Sequence, residues 1–550
     1  MQKFCKSVSP SALFFAFLTL ALAGGVVSAQ TPVTIYNFKN AGDVSNPTPP
    51  GVLAQGRDGN LYSATVSGGA FGQGGVYSFT PTGTDSVPFS FPLSSVDGAA
   101  CPDGLILGTD GNLYGSCRAG GSAGGYGVLY KVTPTGVFTL LHSFGNSADG
   151  VGGFNPPIQA KDGNFYGAVT AGGPLGHGLV YKLTPTGTFS ILHSFNGFDA
   201  NGYAPIGLVQ GTDGNFYGTA IAGGTTSQGS VFKLTPSGHL TTLHSFNGTD
   251  GLQPYASLVQ GTNGSFYGTT NTGGTNNNGV VFEITASGKF TLLHSFKQAV
   301  DGFEPQSAMV QATDGNLYGT TWNSTPSSLF KITPQGVFSV VYLFDGTSTT
   351  IGTNPAAGLI QHTNGLLYGN TENSAANQGN GSFFSLNIGA APFVRLTLTA
   401  GKVASSVSLF GQGFSSSSVV KFGGVPATSV ILSGTTYITA TVPVGAHSGA
   451  VTVTTGATTL TSNTTFKVTP TITTFSPAMG PIGTSVTIHG TGLIQATTVK
   501  FGTVVASGFT VNSDSQVTVL VPAGSSPGAV KIAITTPGGI ATSAAKFTVQ

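Results

Sequence analysis

The chain has 550 residues, of which only 7% are charged, with a formal net charge of +1 and 84 glycines. So flat a charge balance offers no basic field for phosphates, which excludes nucleic acid as an expected partner, and no cationic surface for an anionic membrane. The length exceeds what one hydrophobic core supports, so several domains or a repeat array are expected. The abundance of Thr, Ser, Val and Gly without a helical period points to strands and tight turns.

In chain order, residues 1–29 read as a secretory signal. Lys3 and Lys6 mark a basic end, residues 12–27 an apolar run, and Val27-Ser28-Ala29 a small-residue cleavage site before Gln30. The mature chain is therefore expected to be exported, to the extracellular space or the cell surface. No later stretch reaches the roughly 18 to 20 apolar residues that a membrane span requires, so no span is expected and surface attachment would be non-covalent or through a partner.

From residue 32 to 390 one pattern recurs. Tyr62, Tyr114, Tyr166, Tyr217, Tyr267, Tyr318 and Tyr368 lie 52, 52, 51, 50, 51 and 50 residues apart, giving seven copies. The fourth copy reads GLVQGTDGNFYGTAIAGGTTSQGSVFKLTPSGHLTTLHSF, and its apolar runs predict strands at 207–211, 215–219, 230–235 and 239–246. They are joined by a TDGN turn, a Gly-rich loop and a TPSG turn, whose Asp-Gly and Pro-x-Gly supply the backbone angles that hairpins need. Four antiparallel strands per copy make one propeller blade, so residues 30–390 are expected to form a seven-bladed β-propeller. The seventh copy lacks its last strand, whereas residues 33–38, VTIYNF, align with the TTLHSF of residues 241–246 and precede the first copy. A strand taken from the N-terminus would close the ring and remove exposed edges. An open β-solenoid is the rival architecture; the displaced strand favours the closed ring.

This pattern resembles the GloVer tandem repeat of secreted bacterial proteins, a family characterised by its repeat and by varied surface anchors rather than by a reaction. The DGN-Leu/Phe-Tyr strand is also similar, over one strand only, to streptogramin-lyase and sensor-type propellers.

After residue 388 the period stops and a second pattern occurs twice. The later copy has TTFSP from Thr473, GPIGTSVTIHGTGL from Gly480, VKFG from Val499 and VTVLVPAGSSPGAVKI from Val517; the earlier one has VSLFGQGF, VVKFGG and ITATVPVGAHSGAVTV. Both resemble the IPT/TIG immunoglobulin-like domain, which implies two β-sandwiches, at 391–468 and 469–550, serving as spacers or adhesive segments. The fold expected is thus all-β: a seven-bladed β-propeller followed by two immunoglobulin-like sandwiches.

Candidate chemistry is sparse. The mature chain has three glutamates, Glu283, Glu304 and Glu372, in three different copies, which does not suggest the paired acids of a hydrolase. An Asp stands in the connection before nearly every first strand: Asp43, Asp97, Asp149, Asp199, Asp250, Asp301 and Asp345. Such a set could ring a channel mouth and bind a cation or sugar hydroxyls, or each could cap its own turn. Asp58, Asp110, Asp162, Asp213 and Asp314, in the opposite hairpin, read as turn residues. His142, His193, His244 and His294 fall on the outermost strands of separate copies and read as packing, not as metal ligands. Trp322, the single tryptophan, replaces a Gly-Gly in the sixth copy and is either a sugar-stacking platform or a packing residue. Cys101 and Cys117 stand at the same end of one hairpin in an exported chain, so a disulfide is expected.

The candidate ligand-binding set is therefore Asp149, Asp199, Asp250, Asp301 and Trp322, with no catalytic residue, metal or cofactor assigned. Two functions remain in view: a non-enzymatic scaffold or adhesin whose partner is an extracellular glycan or a cell-surface protein, and an extracellular lyase or hydrolase acting on a polysaccharide or small molecule.

Overall fold

A computed structural model describes residues 30–550 except 40–43, 46, 48–50, 93–100, 102, 123, 146–147, 152–154, 198–201, 323–325, 345, 347–350, 356–357 and 374–379. The signal segment 1–29 and Asp43, Asp97, Asp199 and Asp345 lie outside the described residues. The molecule is all-β; among the described residues the one α-helix, Gln298–Asp301, is a single turn.

Each copy of the repeat builds one antiparallel sheet whose strands pair in chain order. In the fourth copy these are Tyr203–Gln210, Phe216–Ala222, Ser230–Leu234 and Leu240–Ser245. The hairpins form for the reasons legible in the turns. Asp213 accepts from the Asn215 backbone N–H at 3.1 Å, the Asn215 side chain at 2.7 Å and the Tyr217 hydroxyl at 2.8 Å, locking the first turn. Thr235 Oγ1 accepts from the His239 N–H at 3.1 Å in the last turn. The glycine after the repeat tyrosine has a packing reason: a Cβ on Gly218 would lie 2.6 Å from the Phe232 ring across the strand pair, and Gly268, Gly319 and Gly369 meet Phe282, Phe330 and Phe384 in the same way.

Among the described residues seven such repeat sheets are present, and the ring closes as the displaced strand implies. Val33–Asn37 pairs antiparallel with Ser382–Leu386 of the seventh copy and carries a register shift between Thr34 and Tyr36. The fourth strands of the other copies carry the same irregularity against their third strands, for example at Val231/Phe232. Copies seven and one also meet through the Phe79 and Phe383 rings, stacked 4.7 Å apart, and through Asn370 Nδ2 donating to the buried Tyr77 hydroxyl at 2.6 Å.

A feature the sequence reading did not use runs around the ring. The last residue of the first strand is glutamine in six copies, and its side-chain oxygen accepts a backbone N–H from the turn of the neighbouring copy. Thr109 thus donates to Gln159, Lys161 to Gln210, Thr212 to Gln260, Thr262 to Gln311, Thr313 to Gln361 and Thr363 to Gln55. The last of these crosses the closure seam. Copy two has Leu107 at this position instead.

First strands point to the axis, since Leu53, Leu105, Ile158 and Ile360 from four copies line one cavity of about 530 Å³. Fourth strands are therefore outermost.

Two sandwiches follow, each with its own core, Val394 to Val468 and Val486 to Val549. Their sheets share a strand order. Arg395–Leu396, Ser406–Phe410, Tyr437–Thr441 and Val430–Ser433 in the first module correspond to Thr471–Ser476, Ser485–Thr491, Gln516–Leu520 and Phe509–Ser513 in the second. The Ser448 N–H donates to Gln495 Oε1 at 2.6 Å between the modules.

Candidate functional site

The connections before the first strands and the Gly-rich loops share one face of the array, and there the copies differ most. The two sets read separately in the sequence, the connection aspartates and the outer histidines, turn out to be partners. His142 Nε2 lies 2.8 Å from Asp149, His244 Nε2 3.0 Å from Asp250 and His294 Nε2 2.9 Å from Asp301. Each carboxylate also accepts a backbone N–H of its own turn, from Gly145, Asn247 and Lys297 respectively. Each imidazole stacks on the first phenylalanine of the next copy's outer strand: Phe189 at 4.0 Å, Phe290 at 3.9 Å and Phe338 at 3.7 Å. Burial holds these three imidazoles below the ordinary histidine range, against the raising pull of the carboxylate, so near neutral pH the uncharged ring donates from Nε2.

Asp149, Asp250 and Asp301 thus stand at the outer strands of three separate copies, engaged by their own histidine and turn, and the structure does not bring them together around a channel mouth. The physical reason is that a carboxylate beside an outermost strand sits at the rim of a ring whose axis is lined by first strands.

Trp322 is placed differently. Its backbone N–H reaches the carbonyls of Phe303 and Glu304, at 3.2 and 3.1 Å, and its half-buried indole Nε1 donates to Glu372 Oε2 of the seventh copy at 3.0 Å. Burial pushes the Glu372 carboxyl up from its ordinary range, opposed by the indole bond. In sequence Glu372 is one of three isolated glutamates in three different copies, and nothing local ties it to Trp322.

The signal that finds it is positional. Trp322 and Glu372 are each the fourth residue after the repeat tyrosine, the position of Val66, Arg118, Thr170, Ile221 and Asn271 in the other copies, so Trp322 stands two residues before the Gly-Gly position and does not replace it. Every copy carries a different residue there, at or just past the end of a strand that opens with the residue before the repeat tyrosine, which is followed by glycine in six of the seven copies. Arg118 pairs through Nε with the buried Asp103 at 3.2 Å, and Ser116 Oγ donates to the same carboxylate at 2.8 Å. Burial pushes Asp103 up to about 7, with Arg118 and Ser116 pulling the other way. Beside this pair the expected disulfide is formed, Cys101–Cys117, closing a sequence separation of 16. The Asn271 amide oxygen is buried without a hydrogen-bond partner.

The Gloeobacter/Verrucomicrobia repeat matches residues 20–201 and 153–384, and the IPT/TIG domain matches residues 470–549. No curated protein matches the chain. Among solved structures, the chain is similar to a protein from a complex xyloglucan utilization locus in Bacteroides uniformis. That match has 22% identity and a TM-score of 0.16, covering 28% of this chain and 48% of that one. A surface glycan-binding protein from Prevotella bryantii matches at 19% identity and a TM-score of 0.22, over 28% of this chain and 41% of that one. A protein from Lactobacillus plantarum matches at 18% identity and a TM-score of 0.39, over 55% and 86%. The chain spans less than half the length of the first two, and likenesses at these TM-scores carry no argument about function. Among the described residues no helix is long and apolar enough to cross a membrane. The repeat match spans residues 20–384 of 550, well over half of the sequence, and the chain belongs to the Gloeobacter/Verrucomicrobia repeat family, with an IPT/TIG domain at its C-terminal end.

Proposed function

We propose that the protein is an exported, non-enzymatic binding scaffold of the extracellular space or cell surface. In this reading residues 1–29 are removed on export, residues 30–390 form a seven-bladed ligand-binding disc, and the sandwiches at 391–468 and 469–550 form its stalk. The observation that carries it is the Trp322–Glu372 pair on the loop face, at a repeat position where every copy differs. An indole with its N–H tied down presents a rigid apolar face on which a sugar ring can stack, and the adjoining carboxylate accepts hydroxyl hydrogen bonds. A rigid ring that positions variable loop ends is the usual arrangement for recognition. The disulfide supports an oxidising compartment. The connection aspartates Asp149, Asp250 and Asp301 contribute by holding the loop face in shape.

The test is a glycan-array screen of the full mature chain, repeated with Trp322→Ala, Glu372→Gln and a combined Asp250→Asn, Asp301→Asn variant. Binding is expected to fall at least tenfold in the first two and to change little in the third. Undiminished binding by both Trp322→Ala and Glu372→Gln removes the site. Turnover of the bound glycan by the wild type, lost in Glu372→Gln, would replace the scaffold by a lyase or hydrolase.

A further inference from the structure

The cavity at the axis lies on the other face of the array from Trp322. Its walls are the ends of first strands in copies one, two, three and seven, and its remaining wall is the first sandwich. A volume of about 530 Å³ falls within the roughly 300 to 1,000 Å³ typical of sites for small molecules.

The lining is more apolar than polar, and copy two adds to its apolar part by breaking the repeat's own rule. Where six copies end the first strand in glutamine, copy two reads Leu105-Ile106-Leu107, and these residues line the cavity together with Ile158 of copy three and Phe410 of the sandwich.

Into this apolar space the sandwich contributes Arg395. Its guanidinium lies 4.7 Å above the Phe410 ring, and no carboxylate or hydrogen-bond acceptor meets it among the described residues. Arg57, the other arginine of the lining, is by contrast satisfied: it donates to the Thr109 carbonyl at 2.6 Å and stacks on Tyr437 at 4.7 Å. Burial alone draws Arg395 down to about 10. Arg395 is half-buried and has no counter-charge among the described residues, and its planar fork matches a carboxylate bidentately.

We infer that this cavity is a binding site for a small carboxylate with a compact apolar body, its carboxylate on Arg395 and its apolar part against Leu105, Leu107, Ile158 and Phe410. The site is independent of the loop face and does not rest on the glycan reading.

The experiment is calorimetric titration of the full mature chain with octanoate, alongside octanol as the uncharged chain and acetate as the short anion. Octanoate is expected to bind at one site per chain and at least tenfold more tightly than either control. Arg395→Gln should weaken octanoate at least tenfold and bring it level with octanol. Leu107→Trp, which keeps the charge and fills the space, should abolish binding whether or not Arg395→Gln folds, and Trp322→Ala should leave it unchanged. The inference is overturned if the wild type does not bind octanoate, if octanol or acetate binds as tightly, or if binding survives Leu107→Trp.

Discussion

Asp103 shows how far a single side chain can depart from its ordinary chemistry. Its carboxyl is enclosed by protein and raised by burial toward 7, above the value near 3.9 expected of an unfolded aspartate. With the folded value the higher one, the unfolded state ionises first, so this group stabilises the fold below about pH 4 and that contribution is lost progressively as pH rises toward 7. Asp103→Asn should therefore flatten the dependence of the unfolding midpoint on pH between about 4 and 7; chemical denaturation at pH 4.5 and 7.5 measures it, and an unchanged slope refutes it. Neither Asp103 nor its partner Arg118 was legible in the sequence as a pair, because 15 residues and a hairpin separate them. The histidine–aspartate pairs were equally hidden. His244 and Asp250 are six residues apart, and only the fold of the intervening turn makes them face each other.

Strands and turns, by contrast, were largely legible. The Asp-Gly and Pro-x-Gly signals mark hairpins whose geometry is local, and the fourth copy's strands fall within a few residues of where the apolar runs place them; Tyr203–Gln210 starts earlier because Tyr203 pairs with Ala222 above the repeat core. The displaced strand was legible too, since its alignment with the LHSF strand is a matter of sequence and the ring offers it a single vacant edge. Deleting it should expose Ser382–Leu386. A chain beginning at Pro50 is expected to aggregate or to unfold over a broader range than the wild type, as judged by light scattering and calorimetry; equal stability would refute closure as a source of cooperativity. The disulfide acts on the neighbouring element. Closing a loop of 16 residues contributes about 3 kcal/mol in the chain-entropy model, so reduction of the native protein should lower the midpoint by several degrees, and a midpoint indifferent to reductant would count against that role.

At the scale of the whole molecule, the least legible feature was where the first sandwich sits. A resemblance gave its fold but could not say that it would dock on the hairpin face at the seam where copies one and seven meet. Thr436 Oγ1 donates to the Arg57 carbonyl at 2.7 Å there, and Thr363 joins three segments at once. Its hydroxyl accepts from Gln55 Nε2 of copy one at 2.8 Å and from Gln412 Nε2 of the sandwich at 2.8 Å, and donates to the Gly411 carbonyl at 3.2 Å. Thr363→Val keeps the shape and removes all three bonds, leaving the buried Gln55 amide and the half-buried Gln412 amide without this partner. A buried donor left unpaired costs about 1 to 3 kcal/mol, so a loss of about 1 to 3 kcal/mol is expected from Gln55, with the half-buried Gln412 adding less. Ring closure and sandwich docking should then weaken together: calorimetry is expected to resolve the array from the first sandwich, and protease to cut between them near residue 390 sooner than in the wild type. A variant that lost stability while still melting with the sandwich in one transition would show that Thr363 supports the seam alone. One that lost neither would mean that the remaining seam contacts, Phe79 on Phe383 and Asn370 on Tyr77, hold the ring without it.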